Sequence, residues 1–83
     1  MSKNVLITGA TGFAGSHLMD YILENTDYKV YVLKRMNSSL KNIEHALDKI
    51  TLIDGDLLDE TSLINAINIS KPDQIYHLGA LSW

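Results

Sequence analysis

This 83-residue sequence predicts an α/β fold built on a doubly wound parallel sheet, and three observations lead there. Short β-branched, apolar stretches alternate with helical patterns along the whole chain, which is how a sheet with crossover helices is written in sequence. The first of them, "NVLIT" (4–8), carries no polar alternation, as a strand covered on both faces requires. It runs directly into "TGATGFAG" (8–15), a glycine-rich stretch that hands the strand over to a helix.

Taken in order, residues 4–8 give the first strand, and Gly9, Gly12 and Gly15 follow at intervals of three. From Gly12 to about Asn25 the pattern is helical, carried by Phe13, Leu18, Tyr21 and Ile22, and Asn25-Thr26-Asp27 is the turn that closes it. "KVYVLK" (29–34) is the second strand. The polar loop "RMNSS" follows, and "LKNIEHAL" (40–47) predicts a short helix with Leu40, Ile43 and Leu47 on one face. "KITLIDGD" (49–56) is the third strand, ending in a glycine turn. "LDETSLINAINIS" (58–70) carries Leu63, Ile64 and Ile67 at helical spacing, with Asp59 as N-cap and Asp59/Glu60 suited to the positive helix start. Pro72 ends that helix, and "QIYHLGA" (74–80) is the fourth strand.

The order β-α-β-α-β-α-β with right-handed crossovers predicts a partial Rossmann-like sheet of strand order 3-2-1-4, its ligand crevice between strands 1 and 4. Four strands make up only the first part of such a sheet. The expectation is therefore that residues 1–83 are the N-terminal part of a nucleotide-binding domain, with a catalytic half and a substrate domain outside this chain.

Composition narrows the partners. The chain is 46% hydrophobic and 20% charged, and ten Asp and Glu outnumber seven Lys and Arg for a net charge of −3, so the basic footprint of a nucleic-acid binder is missing. There is no cysteine, which fits a reducing compartment. No stretch has the apolar core of a signal peptide or approaches the roughly 20 apolar residues of a membrane span. Neither nucleic acid nor membrane is an expected partner, and the expected location is cytoplasmic.

The glycines point to an anion. A helix that starts at the end of the first strand presents free N–H groups and a positive dipole end to the crevice. Gly9 allows the sharp turn off the strand, Gly12 leaves room for a pyrophosphate at the main chain, and Gly15 lets the helix pack tightly on the strand. Thr8 and Thr11 can add hydroxyl hydrogen bonds. A merely tight strand–helix turn would also use glycine, but the triplet stands after a strand, before a helix and at the first βα junction, the context of a dinucleotide site. A phosphate-loop NTPase is excluded, because no Gly-Lys-Ser/Thr follows.

The second strand selects among dinucleotides. An NAD site places Asp or Glu near its end to hold the ribose 2′-hydroxyl, yet no carboxylate lies between Asp27 and Glu44. Arg35 supplies a forked cation suited to a 2′-phosphate, with Lys34 as helper and Asn37, Ser38 and Ser39 as further donors. The reading is NADP, with NAD second to it.

"TGATGFAGSHL", "DGDLLDETSL" (54–63) and "KPDQIYHLGALS" (71–82) together resemble the extended branch of the short-chain dehydrogenase/reductase superfamily, the NAD-dependent epimerase/dehydratases. Within it they are most similar to the GDP-mannose 4,6-dehydratases. The resemblance implies that Gly9, Thr11, Gly12, Phe13 and Ala14 bind the cofactor's phosphates and Arg35 its 2′-phosphate. It also implies that Asp56 and Leu57 hold the adenine and that Leu78, Gly79, Ala80 and Ser82 line its path. Read from the residues, Asp56 also suits a cap on the turn before the third helix. The reaction implied is hydride removal from the sugar C4 by NADP, loss of water across C5–C6 and return of the hydride to C6. The expected substrate is a nucleotide-diphosphate sugar and the expected assembly a homo-oligomer. Phe13-Ala14 departs from the polar pair of GDP-mannose dehydratases and matches related epimerases and keto-reductases, so an epimerase or 4-keto-reductase stands as the alternative. A non-catalytic NADP sensor is the alternative of another class.

The remaining chemistry-bearing residues read as structural. His77, on an inner strand, suits a buried, hydrogen-bonded role better than a catalytic base. His17 and His45 lie on helices without a metal-ligand partner at i+4, and Asp54, Asp56, Asp59 and Glu60 lack calcium-loop spacing. In the superfamily the acid/base is a Tyr-x-x-x-Lys pair, whose lysine lowers the tyrosine's pKa. The fourth residues after Tyr21, Tyr28, Tyr31 and Tyr76 are Asn25, Val32, Arg35 and Ala80, so the pair is absent from this sequence. No catalytic residue is expected in these residues, and the 83-residue chain by itself is expected to be inactive.

Overall fold

The structure is a computed structural model that describes residues 3–36, 38–56 and 58–78. Its strands are β1 (Asn4–Thr8), β2 (Lys29–Lys34), β3 (Ile50–Asp54) and β4 (Gln74–His77), with helices α1 (Phe13–Asn25) and α2 (Glu60–Ser70). All pairings are parallel and the sheet order is β3-β2-β1-β4, as the sequence predicts. Parallel strands need crossovers, and these two helices and the 35–49 connection supply them.

Side-chain alternation along β1 divides the core between two faces. Val5 and Ile7 point to one, with Val30 and Val32 of β2, and are covered by Met19 and Ile22 of α1 and by Ile43 and Ala46 of the 35–49 connection. Leu6 points to the other, with Leu33 and Ile53, and is covered by Ala66 of α2. Val5, Leu6 and Ile7 are all fully buried, which is why this strand carries no polar alternation.

The two ends of the sheet differ in how their polar groups are satisfied. At the end where the strands begin, Asn4 donates its backbone N–H to the Asp73 carboxylate (2.8 Å) and its side-chain amide to the Ser70 carbonyl (2.8 Å), while the Asp73 N–H returns to the Asn4 carbonyl (2.8 Å). That end is stitched shut. The other end, where every strand finishes, carries the site.

Three expectations need correction. Residues 40–47 form no α-helix: they run as successive i→i+3 turns (Ile43 to Leu40, Ala46 to Ile43, Lys49 to Ala46) with a 3-10 turn at Glu44–Ala46. A repeat of three turns Leu40, Ile43 and Ala46 inward, whereas the α-helical face would have used Leu47, which is instead exposed. On α1 the covered residues are Gly15, Ser16, Met19 and Ile22, and the apolar pattern that included Phe13 and Tyr21 fails because both are exposed (76% and 64%). Phe13 instead meets His17 edge-on at 4.4 Å. On α2, Ile64 and Ile67 are likewise exposed, and the helix seats small Ala66 and Ser70 against the sheet. Among the described residues, no helix is long and apolar enough to cross a membrane.

The α2 boundaries follow their chemistry. Asp59 caps the start, accepting from Thr61 N–H (3.1 Å) and the Ser62 hydroxyl (3.0 Å). Lys71 takes the left-handed conformation (φ 43°) that ends it, and Pro72 forbids continuation. Replacing Asp59 by Ala should cost about 1 kcal/mol. In a domain of this size that lowers the melting temperature by roughly 4–8 °C in a thermal-denaturation scan.

Candidate cofactor site

Gly9 leaves β1 with φ 85°, a conformation that side chains resist, and so turns the chain toward α1. The Gly12 N–H donates to the Gly9 carbonyl (3.1 Å) and the Ser16 N–H to the Gly12 carbonyl (3.0 Å), closing the loop and opening the helix. Gly15 packs against that same turn. A Cβ there would collide with the Gly9 carbonyl oxygen and lie 2.7 Å from the Ala10 Cα, so the third glycine is demanded by the fold. Gly12 is different: its φ is −82°, and a Cβ would meet nothing closer than the Gly9 oxygen at 3.5 Å. The fold itself does not need a glycine at position 12, and what the missing side chain leaves there is space.

The two helix starts contrast sharply. Asp59 and Glu60 neutralise the beginning of α2. α1 has no side-chain cap hydrogen bond and no acidic residue in its first turn, so the amides of Phe13 and Ala14 begin the helix with its positive dipole end uncompensated. An anion fits there.

Past the ends of β2 and β3, and not between strands 1 and 4 where the sequence predicts the crevice, lies a cavity of about 680 Å³ lined by Arg35, Met36 and Ser38, by Asp54, Gly55 and Asp56, and by Ser62 of α2. The parallel register makes this juxtaposition: Lys34 pairs with Asp54, so the residues that follow them, Arg35 and Gly55, leave the sheet side by side. Lys34 is not available as Arg35's helper, for its ammonium is held by the Asp54 carboxylate at 2.7 Å. Asp56 performs the turn-capping role, accepting from the Leu58 N–H at 2.9 Å, while also lining the cavity.

The structure thus brings Arg35 and Asp56 into one cavity and sets Gly9, Thr11 and Gly12 on the β1–α1 loop, which leaves the sheet beside β2, with Phe13 and Ala14 in the first turn of α1. Leu78 follows β4 on the other side of β1 and donates its N–H to the Thr8 carbonyl at 3.0 Å. Leu57, Gly79, Ala80 and Ser82, like Asn37, lie outside the described residues. His77 does not sit buried; it is exposed, and its Nδ1 is hydrogen-bonded to the Thr8 hydroxyl at 2.9 Å. Two participants escaped sequence reading. Ser62 reaches the cavity from α2, and the Asn42 side-chain amide donates to the Thr11 carbonyl at 2.9 Å.

Comparison with known proteins decides the family. A family model described as GDP-mannose 4,6 dehydratase matches residues 6–83. This chain belongs to the GDP-mannose 4,6-dehydratase family. Among curated relatives, the human GDP-mannose 4,6 dehydratase is 42% identical over 91 residues, and that of Yersinia enterocolitica 38% identical over 89, each across 96% of this chain. The chain spans about a quarter of their length, 24% in both cases. Among solved structures, a dTDP-glucose 4,6-dehydratase from Bacillus anthracis in complex with NAD superposes with TM-score 0.84 at 24% identity, over 95% of this chain and 27% of that one, which shows the shared fold. The Bordetella bronchiseptica enzyme WbmH, in complex with NAD+, superposes with TM-score 0.82 at 26% identity over 100% of this chain and 27% of its own. The family's Rossmann-like architecture is the one described above.

The two glycines separate structure from binding. Gly15→Ala should destabilise the fold by about 3 kcal/mol or more. Gly12→Ala should leave stability within about 1 kcal/mol of the parent. Yet it should weaken dinucleotide binding about tenfold or more, by filling the space an anion would use. Chemical denaturation beside a fluorescence titration with NADPH reads both.

Proposed function

We propose that this chain is the NADP-binding N-terminal part of a nucleotide-sugar 4,6-dehydratase acting on a GDP-mannose-like substrate in the cytoplasm. The observation that carries the reading is the uncapped start of α1 at Gly12, with open space before it, next to a cavity that holds Arg35. The main-chain amides of Phe13 and Ala14 would hold the pyrophosphate. Arg35 and Ser38 would hold the 2′-phosphate, and Asp56, with Leu57, the adenine. Gly79, Ala80 and Ser82 would continue the path beyond Leu78.

NADP is preferred over NAD because the end of β2 offers a guanidinium, and the two carboxylates that line its cavity are engaged elsewhere, Asp54 by Lys34 and Asp56 by the Leu58 N–H. NAD is the second reading, favoured by the NAD+ in the WbmH structure. When bound, the nicotinamide supplies the removal and return of a hydride. These residues contribute orientation and charge complementarity. The acid–base group that acts on the sugar is assigned to the rest of a longer protein, since no Tyr-x-x-x-Lys occurs here. Ile64, Ile67 and Ile75, exposed on α2 and β4, are surface that further chain or a second copy would cover, which supports assembly into an oligomer.

Fluorescence titration tests the cofactor. NADPH should bind more tightly than NADH, and Arg35→Ala should weaken NADPH by roughly 10- to 100-fold while leaving NADH nearly unchanged. Equal affinity for both, untouched by Arg35→Ala, would overturn NADP in favour of NAD. Absence of dehydration of GDP-mannose by a full-length protein carrying this segment would overturn the substrate.

A further inference from the structure

The Asn42 hydrogen bond joins two parts of the site that sequence order keeps apart. Arg35 and Ser38 line the cavity, and the chain then passes through i→i+3 turns that carry Asn42 back to the β1–α1 loop. There its side-chain amide donates to the Thr11 carbonyl, 31 residues away in sequence, at 2.9 Å.

We propose that Asn42 is a positioning residue for the dinucleotide: by holding the Thr11 carbonyl it fixes the peptide plane that orients the anion-binding amides at the start of α1. This rests on the dinucleotide reading above. The argument is geometric. The Thr11 carbonyl and the Gly12 N–H belong to one peptide unit. Its N–H end is held by the Gly9 carbonyl at 3.1 Å, and its C=O end by Asn42 at 2.9 Å. Pinned at both ends, the plane cannot rotate, although glycine on its far side would otherwise allow it. The Phe13 amide, one peptide further on, inherits that orientation.

The electrostatics point the same way. A carbonyl oxygen carries partial negative charge, and one left free to swing toward a pyrophosphate would repel it. An amide donor that engages this oxygen holds it elsewhere. The donor also comes from the segment that continues from Arg35, so the group holding the 2′-phosphate and the loop holding the pyrophosphate are braced against each other. Asn42 itself is exposed, which separates this role from core packing.

The test compares Asn42→Ala and Asn42→Asp with the parent protein. Asn42→Ala should weaken NADPH and NADH alike, each about tenfold, unlike Arg35→Ala, whose effect is confined to NADPH. Asn42→Asp, of the same size but unable to donate and negatively charged, should weaken both further. In the cofactor-free protein, both variants should speed hydrogen exchange at the Gly12 amide while the melting temperature stays within about 2 °C of the parent's. Affinities within twofold of the parent for both variants, or losses that follow a matching fall in melting temperature, would overturn the proposal. A parent protein that binds neither dinucleotide would sink the cofactor reading itself, and this proposal with it.

Discussion

The contact of Gly15 with the backbone of Gly9 and Ala10 is what the site rests on. With no Cβ on one side and a carbonyl oxygen and a Cα on the other, α1 sits against the end of β1 at a distance only glycine permits. That contact holds the first turn of α1 close to the exit of β1, where its uncapped amides begin. Everything that concentrates positive potential there, the uncapped helix and the nearby guanidinium, depends on this seat.

The same edge shows how a fold divides its duties. Where the strands begin, Asn4, Ser70 and Asp73 satisfy one another. Where they end, α2 is capped by its own carboxylate and Lys34 by Asp54, yet α1 is left without a cap. Parallel pairing makes the asymmetry useful, because every strand delivers its following residue to that one edge.

Much of this could be read from the sequence, for identifiable reasons. β1 has an unbroken apolar run because both its faces are buried, and the glycine spacing follows from steric demands that leave no alternative residue at position 15. Strand order followed from alternation and crossover handedness. What escaped was the region whose residues fit two periods at once. Leu40 and Ile43 suit three or three-and-a-half residues per turn equally, and only packing chose Ala46 over Leu47. Phe13 and Tyr21 misled in the same way, since an exposed aromatic writes the same letter as a buried one. Lys34 was read as a cation open to a ligand, because nothing in sequence shows that Asp54 lies across from it. It is the parallel register of β2 and β3 that brings Arg35 and Asp56 to one cavity, and the strut from Asn42 was not legible because it is a tertiary hydrogen bond from a polar side chain in a turn.

The central place of β1 has a consequence for biosynthesis. It leaves the ribosome ahead of the other three strands, and one of its two neighbours lies far downstream: Thr8 meets His77 across 69 residues. At a translation rate of roughly 5–20 residues per second, that edge waits about 3 to 14 s for its partner. During this interval a strand with an apolar centre, flanked on one side only by β2, offers unpaired backbone to any passing chain. Met19 and Ile22 of α1, which follow β1 directly, cover the Val5 and Ile7 face, so the open edge and not the apolar face is what is left waiting.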